Sequence, residues 1–243
     1  MSFLQDILDS EPAAIAGARA VASDYADFAE DVFEHFATAV DHASPELLLF
    51  RMVHAHSSKM AGLSILSALR QQRVQQALVL RQLVESTPLI GYLALHPEIT
   101  GPWARPGATA DDVHKADAAI RRAAFAWLEK SHSALSDDLR HYKNHINRNH
   151  SHATVLASSF AYDFVGDRPT AHGFYDVPNP AETRLALWAS GQILILGALM
   201  LWKVAAQTDR VHLRADFPQR MSPLTVRARA LQDRLITDGY PQS

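Results

Sequence analysis

Apolar side chains recur along this chain at steps of three and four residues, and no segment alternates apolar and polar in the way a half-buried strand does. Val21, Tyr25, Phe28, Val32, Phe36 and Val40 form one such stripe. It follows Ser10-Glu11-Pro12, a hydroxyl residue with proline in the first turn, so one long amphipathic helix is expected there. Ser44-Pro45-Glu46 repeats the start signal. The Leu-, Ala-, Gln- and Arg-rich stretch behind it reads as two helices that break near Arg70 to Arg73 and end at His96-Pro97. Pro88 lacks a backbone donor and is expected to kink or restart the second of them.

Pro97 to Ala110 is a loop, after which Asp111 or Asp112 is expected to cap a helix through Ile120, Ala124, Trp127 and Leu128. Ser136-Asp137-Asp138 gives another loop-and-cap signal before a histidine-rich segment. The longest irregular stretch, 166–180, holds three prolines and two glycines and makes the best internal boundary. An apolar helix follows at about 185–205, with no charge from Leu185 to Trp202, and a shorter amphipathic helix at 225–238 uses Val226, Leu231 and Leu235. The apolar run is just long enough to span a membrane and carries Trp188 and Trp202. Its Ser190, Gln192 and glycines, and the core-forming pattern of the rest, place it instead as a buried central helix or an oligomer interface. The expected fold is all-α, a single-domain helical bundle of about six to eight helices over 1–243, forming a homodimer built partly on the apolar helix.

Composition narrows the function classes. With 48% hydrophobic and 20% charged residues the chain can bury a sizeable core, which excludes overall disorder. The net charge of −3 gives no chain-wide attraction to polyanions, so neither DNA nor a membrane is an expected partner and any contact with RNA has to be local. Absence of cysteine excludes disulfides, thiolate metal sites and cysteine nucleophiles, and a cytoplasmic location is expected. The opening MSFLQDILDSEP has no basic n-region and does not read as a secretory signal. No phosphate-binding glycine loop, nucleophile elbow or dinucleotide fingerprint occurs, and no cofactor is expected.

Candidate chemistry concentrates between Leu139 and His152, where four of the thirteen histidines stand with Arg140, Lys143 and Arg148 and no carboxylate. On an unbroken helix His141, His145, Arg148 and His152 follow at steps of four, three and four and share one stripe. Imidazoles there could move a proton while a guanidinium stabilises charge on phosphoryl oxygens; equally, they could form a polar seam with no chemistry. A third reading uses the i, i+4 pair His141 and His145 as metal ligands completed by Asp137, Asp138 or Glu85. No metal is expected, because two ligands do not make a site.

The run Arg140-His141-Tyr142-Lys143-Asn144-His145 resembles the Arg-x4-His signature of HEPN-domain endoribonucleases. That family is all-helical, pairs its motifs across a dimer interface and cuts RNA without a metal. The resemblance implies Arg140 and His145 as its arginine and histidine, with His141 between them; Arg148 and His152 form a competing pair one residue too short. Ala77-Leu-Val-Leu-Arg81-Gln-Leu-Val-Glu85, with Tyr92 and His96-Pro97-Glu98, is similar to the core of an uncharacterised bacterial all-helical family marked by an Ala-Leu-x-Leu-Arg-x-Leu-x-Glu helix, over about 60–160. Its later Tyr and Ser-x-x-His elements are matched loosely by Tyr142, Ile146, Asn147, Ser151 and His152, with Asn147 where that family has a serine. Arg81 and Glu85 are helical neighbours, either an exposed stabilising pair or, in the functional reading, the place from which Glu85 reaches the histidine stripe and orients an imidazole. Two functions stay open, a metal-independent ribonuclease of a toxin or anti-phage type and a non-catalytic interaction or ligand-binding module.

Overall fold

The computed structural model describes residues 3–101, 107–149, 162–165, 168–171, 175–176 and 178–239. Among these, eight helices form one bundle: α1 Phe3–Val21, α2 Ser23–Ala37, α3 Leu48–Leu69, α4 Arg73–Leu95, α5 Ala110–Ser131, α6 Ser133–Asn149, α7 Pro180–Ala205 and α8 Phe217–Thr237. Four short strands join them. β1 (Val40–Ala43) pairs antiparallel with β4 (Val211–Leu213), placing His42 opposite His212, and β2 (Tyr162–Val165) pairs with β3 (Arg168–Ala171). At three or four residues each, these strands are too short to show an alternation in the sequence.

The apolar run is the axis of the bundle. Asn179 caps α7 by accepting from the amides of Ala181 and Glu182, and Pro180 supplies a first-turn residue that needs no donor. α7 then packs against α2, α3, α4 and α8. It is long and apolar enough to cross a membrane, but 67% of its most apolar window is buried inside the protein. Ser190 is fully buried and accepts from Gln76 of α4. Gly191 and Gly197 receive the Phe28 and Phe36 rings of α2, and a Cβ at Gly191 would collide with Phe28. Trp188 is buried and donates to the Ala228 carbonyl of α8, while the half-exposed Trp202 stacks on Phe217. With those faces covered, α7 is the buried central helix of the bundle.

Several boundaries differ from expectation for identifiable reasons. Helix α1 starts at Phe3 and continues through Pro12, so Ser10 is an internal residue that back-bonds to the Ile7 carbonyl and caps nothing. The expected long first helix is two, breaking at Ala22, and Arg19 holds the corner by pairing with Asp27 and Glu30 of α2. Ser44 to Leu47 forms a turn, and α3 starts after it. The break at Arg70 to Arg73 is where it was expected, with Gln71 at φ 57°. Pro88 neither restarts nor ends α4, which runs to Leu95 before His96-Pro97. Thr109, rather than either aspartate, caps α5, with Asp112 returning the bond in a capping box. The chain turns at His132, three residues before Ser136-Asp137-Asp138, and Ser136 lies buried within α6. In α8 the buried stripe is Leu224, Ala228, Leu231 and Leu235, whereas Val226 is 69% exposed. Tyr175 and Asp176, within the expected irregular stretch, are fastened to the bundle: the Tyr175 hydroxyl donates to the Ile7 carbonyl and Asp176 accepts from the Arg73 amide.

Candidate functional site on α6

Helix α6 is anchored by Leu135, Leu139, the half-buried Tyr142 and Ile146, at steps of four, three and four. This stripe packs on α4, α5 and α7, and it divides the polar residues into two flanks. Arg140 and Lys143 fall on one, and His141, His145 and Arg148 on the other, because each residue advances about 100° around the helix.

The first flank is fully engaged in ion pairs. The Arg140 guanidinium donates to Glu129 of α5 at 3.0 Å and lies 3.8 Å from Asp137. Lys143 Nζ lies 3.2 Å from Glu85 of α4 and 4.9 Å from the centre of the Phe125 ring. Glu85 also accepts from Arg81 Nε at 3.2 Å. Glu85 therefore does cross from α4 to α6, but its partner there is Lys143. Among the described residues no imidazole pairs with it, and the Arg81–Glu85 pair is one part of a three-residue network rather than an isolated surface pair.

The second flank faces a cavity of about 450 Å³ enclosed by α4, α6 and α7. Leu80, Ile146, Leu185 and Ile193 give it apolar walls, and Arg73, Gln76, His141, Tyr142, His145 and Glu182 bring polar groups to it. Burial pushes the His145 pKa below its ordinary value; His141 lowers it further and Glu182 opposes the shift. The ring is accordingly neutral at pH 7, able to accept at one nitrogen and donate at the other. Burial, reinforced by Asp138, raises the Tyr142 pKa, so its hydroxyl stays a donor. It makes no hydrogen bond among the described residues. Gln76 is already committed through its amide to the Ala186 carbonyl and Ser190, which fixes its carbonyl end.

Of the six sequence-derived site residues, the structure brings His141 and His145 together and sets Arg140 and Glu85 on the opposite flank of α6. Arg148 shares the histidine side and is exposed. His152, with Ser151, lies outside the described residues. Arg140 and His145, five positions apart, point about 140° away from each other around the helix. Among the described residues no three His, Asp or Glu side chains gather as a metal site. His54 and His56 are structural, bonding to the Phe36 carbonyl and to Gln82.

Arg73, Gln76 and Glu182 were not visible as site residues in the sequence. They reach the cavity from the start of α4 and the first turn of α7, about 70 and 40 residues from His141 along the chain, and no local spacing links them. A larger cavity of about 660 Å³ opens between α3, α4 and α5, and one of about 530 Å³ lies beside Glu85 and Lys143. Neither holds more than one histidine. No protein-family model, no curated protein and no solved structure matches the chain.

Proposed function

We propose that this chain is a helical ligand-binding protein whose site is the cavity between α4, α6 and α7, taking a small molecule with an apolar body and a hydrogen-bonding head. The supporting observation is the convergence of a neutral imidazole, a phenol held protonated and a carboxylate on an otherwise apolar chamber of about 450 Å³. That volume and mixture are those of small-molecule sites. The histidines then orient the ligand's polar end, and the apolar walls supply the affinity.

The test uses 8-anilinonaphthalene-1-sulfonate, whose body and head have this chemistry and whose emission can be excited through Trp188 in the cavity wall. Saturable binding to the folded protein is expected, abolished by Ala189→Trp, which fills the chamber, and weakened about tenfold by His145→Ala, the loss of one hydrogen bond to a polar head. Absence of saturable binding, or binding indifferent to both substitutions, overturns the reading.

One observation favours a second reading, cleavage of RNA without a metal: Arg140, His141, His145 and Arg148 are all exposed on one helix. It requires His145 to meet an arginine of a second copy, because its own Arg140 points away. Cleavage of single-stranded RNA or tRNA in EDTA, lost in both Arg140→Ala and His145→Ala, would establish it; retention of all cleavage in both variants rejects it, and loss in Arg148→Ala and His152→Ala reassigns the pair.

A further inference from the structure

The helical hairpin α3–α4 carries an outer face of exposed apolar residues that no other described element covers. Leu48, Met52, Ala55, Lys59, Leu63 and Leu66 follow along α3 at steps of four, three, four, four and three, all exposed. Leu78 continues the face on α4 beside Gln75 and Gln82, and the five large apolar residues are between 38% and 55% exposed. The bond between His56 and Gln82 shows that these two exposed stripes lie on the same side of the hairpin. Solvated helix faces are ordinarily rich in charge, as α5 is with Asp111, Lys115, Asp117 and Arg121. Here Lys59 is the one charge within the α3 stripe, and Glu85 stands at the α4 edge, in the wall of the 660 Å³ groove with Met52 and His56.

We infer that this face, with that groove, is where a second copy of the chain docks. Self-complementarity identifies the occupant. Ser57 bonds to Ser86 across the hairpin, which sets the level of one helix against the other: Lys59 lies level with Val84, Leu66 with Ala77 and Met52 with Gly91. A two-fold axis lying in the contact plane and running along the hairpin lays α3 on the α4 of the other copy, level by level. Leu63 and Leu66 then cover the partner subunit's Leu78, Met52 covers the partner subunit's Leu89 over the groove, and Lys59 meets the partner subunit's Glu85. A two-fold axis across the hairpin at the level of Lys59 would instead set that residue against its own copy, which like-charge repulsion disfavours. A face about 33 Å long and about 20 Å wide buries about 1,300 Å² over two copies, within the range of stable interfaces. α6 touches this face only at its rim, through Lys143 and Glu85, so the contact does not depend on the cavity or on what the cavity binds.

The absence of cysteine makes the test direct. In sedimentation equilibrium the wild-type chain is expected to be a dimer, and the Leu63→Asp, Leu66→Asp double variant to dissociate at least tenfold more readily with unchanged far-ultraviolet circular dichroism. Leu66→Cys and Leu78→Cys chains, exchanged together and oxidised, are expected to give a covalent dimer that neither gives alone. A wild-type monomer at the highest concentration that stays in solution overturns the proposal, as does a dimer undisturbed by the double aspartate variant. If the mixed cysteine chains fail to cross-link, the α3-on-α4 arrangement is wrong and the proposal falls with it.

Discussion

The two flanks of α6 use similar polar residues to opposite ends. On one, Arg140 and Lys143 are matched by carboxylates from α5 and α4, and the charges serve to hold helices together. On the other, His141 and His145 line a largely apolar chamber, and Glu182 acts on His145 through its field. A basic, histidine-rich sequence thus divides into a half that ties helices together and a half that lines a cavity. Fixed cations are spent on neighbours, while imidazoles face the cavity.

The largest disturbance to this division would come from its spine. Leu139 is almost wholly buried between the flanks, and Leu139→Ala is expected to cost about 2–5 kcal/mol in urea unfolding, with loss of probe binding and ion pairing together. Survival of probe affinity in a strongly destabilised variant would show that the cavity does not depend on how α6 is seated.

Glu85→Gln acts on the first flank, and on the α3–α4 face it borders, without touching the cavity. It removes the charge shared by Arg81 and Lys143, at side-chain exposures of 36%, 32% and 26% for arginine, lysine and glutamate, and should cost about 1 kcal/mol without changing probe affinity. A change in affinity larger than the change in stability would join the two flanks into one site.

The smallest effect belongs to the second flank. His145→Ala should shift stability at pH 7.5 by less than about 0.5 kcal/mol, since the residue is exposed at the rim. Its signature is pH dependence. The folded-state pKa of His145 lies below the ordinary 6.5, as do those of His35, His54 and His132, all chiefly through burial. Below pH 6.5 the unfolded chain therefore binds more protons than the folded one, and stability falls as the pH drops toward the lowered values. Above 6.5 these histidines contribute no slope. Urea midpoints should be level from pH 7 to 8 and decline below about 6.5, slightly less steeply in His145→Ala. A midpoint that rises on acidification would contradict the placement of these rings.

The parts of the fold that were legible in the sequence are those decided locally. The turn at Arg70 to Arg73, the end of α4 before Pro97 and the apolar axis at α7 all rest on residues adjacent in the chain. The misplaced features are those decided by distant partners. Nothing near Ala22 breaks a helix; the corner is held by Arg19 reaching across it. Val226 and Leu224 are both apolar and two residues apart, and only the position of α2 and α7 determines which one is covered. Likewise the histidine stripe could be seen in the spacing, but not the chamber it faces, because Arg73 and Glu182 arrive from other helices. Glu85 was expected either to pair with Arg81 or to meet the histidine stripe; it pairs with Arg81 and with Lys143 of α6, a choice set by the rotation of α6 about Leu135, Leu139 and Ile146.

The position of α7 in the chain governs how this protein emerges from the ribosome. The phenylalanines of α2 have their glycine seats at Gly191 and Gly197, which are made some 150 residues later. At ordinary synthesis speeds of about 5–20 residues per second, that is roughly ten seconds or more during which the apolar sides of α2, α3 and α4 lack their central helix. The fold gains its middle late, and the nascent chain is a natural client for whatever shields exposed apolar surface during translation.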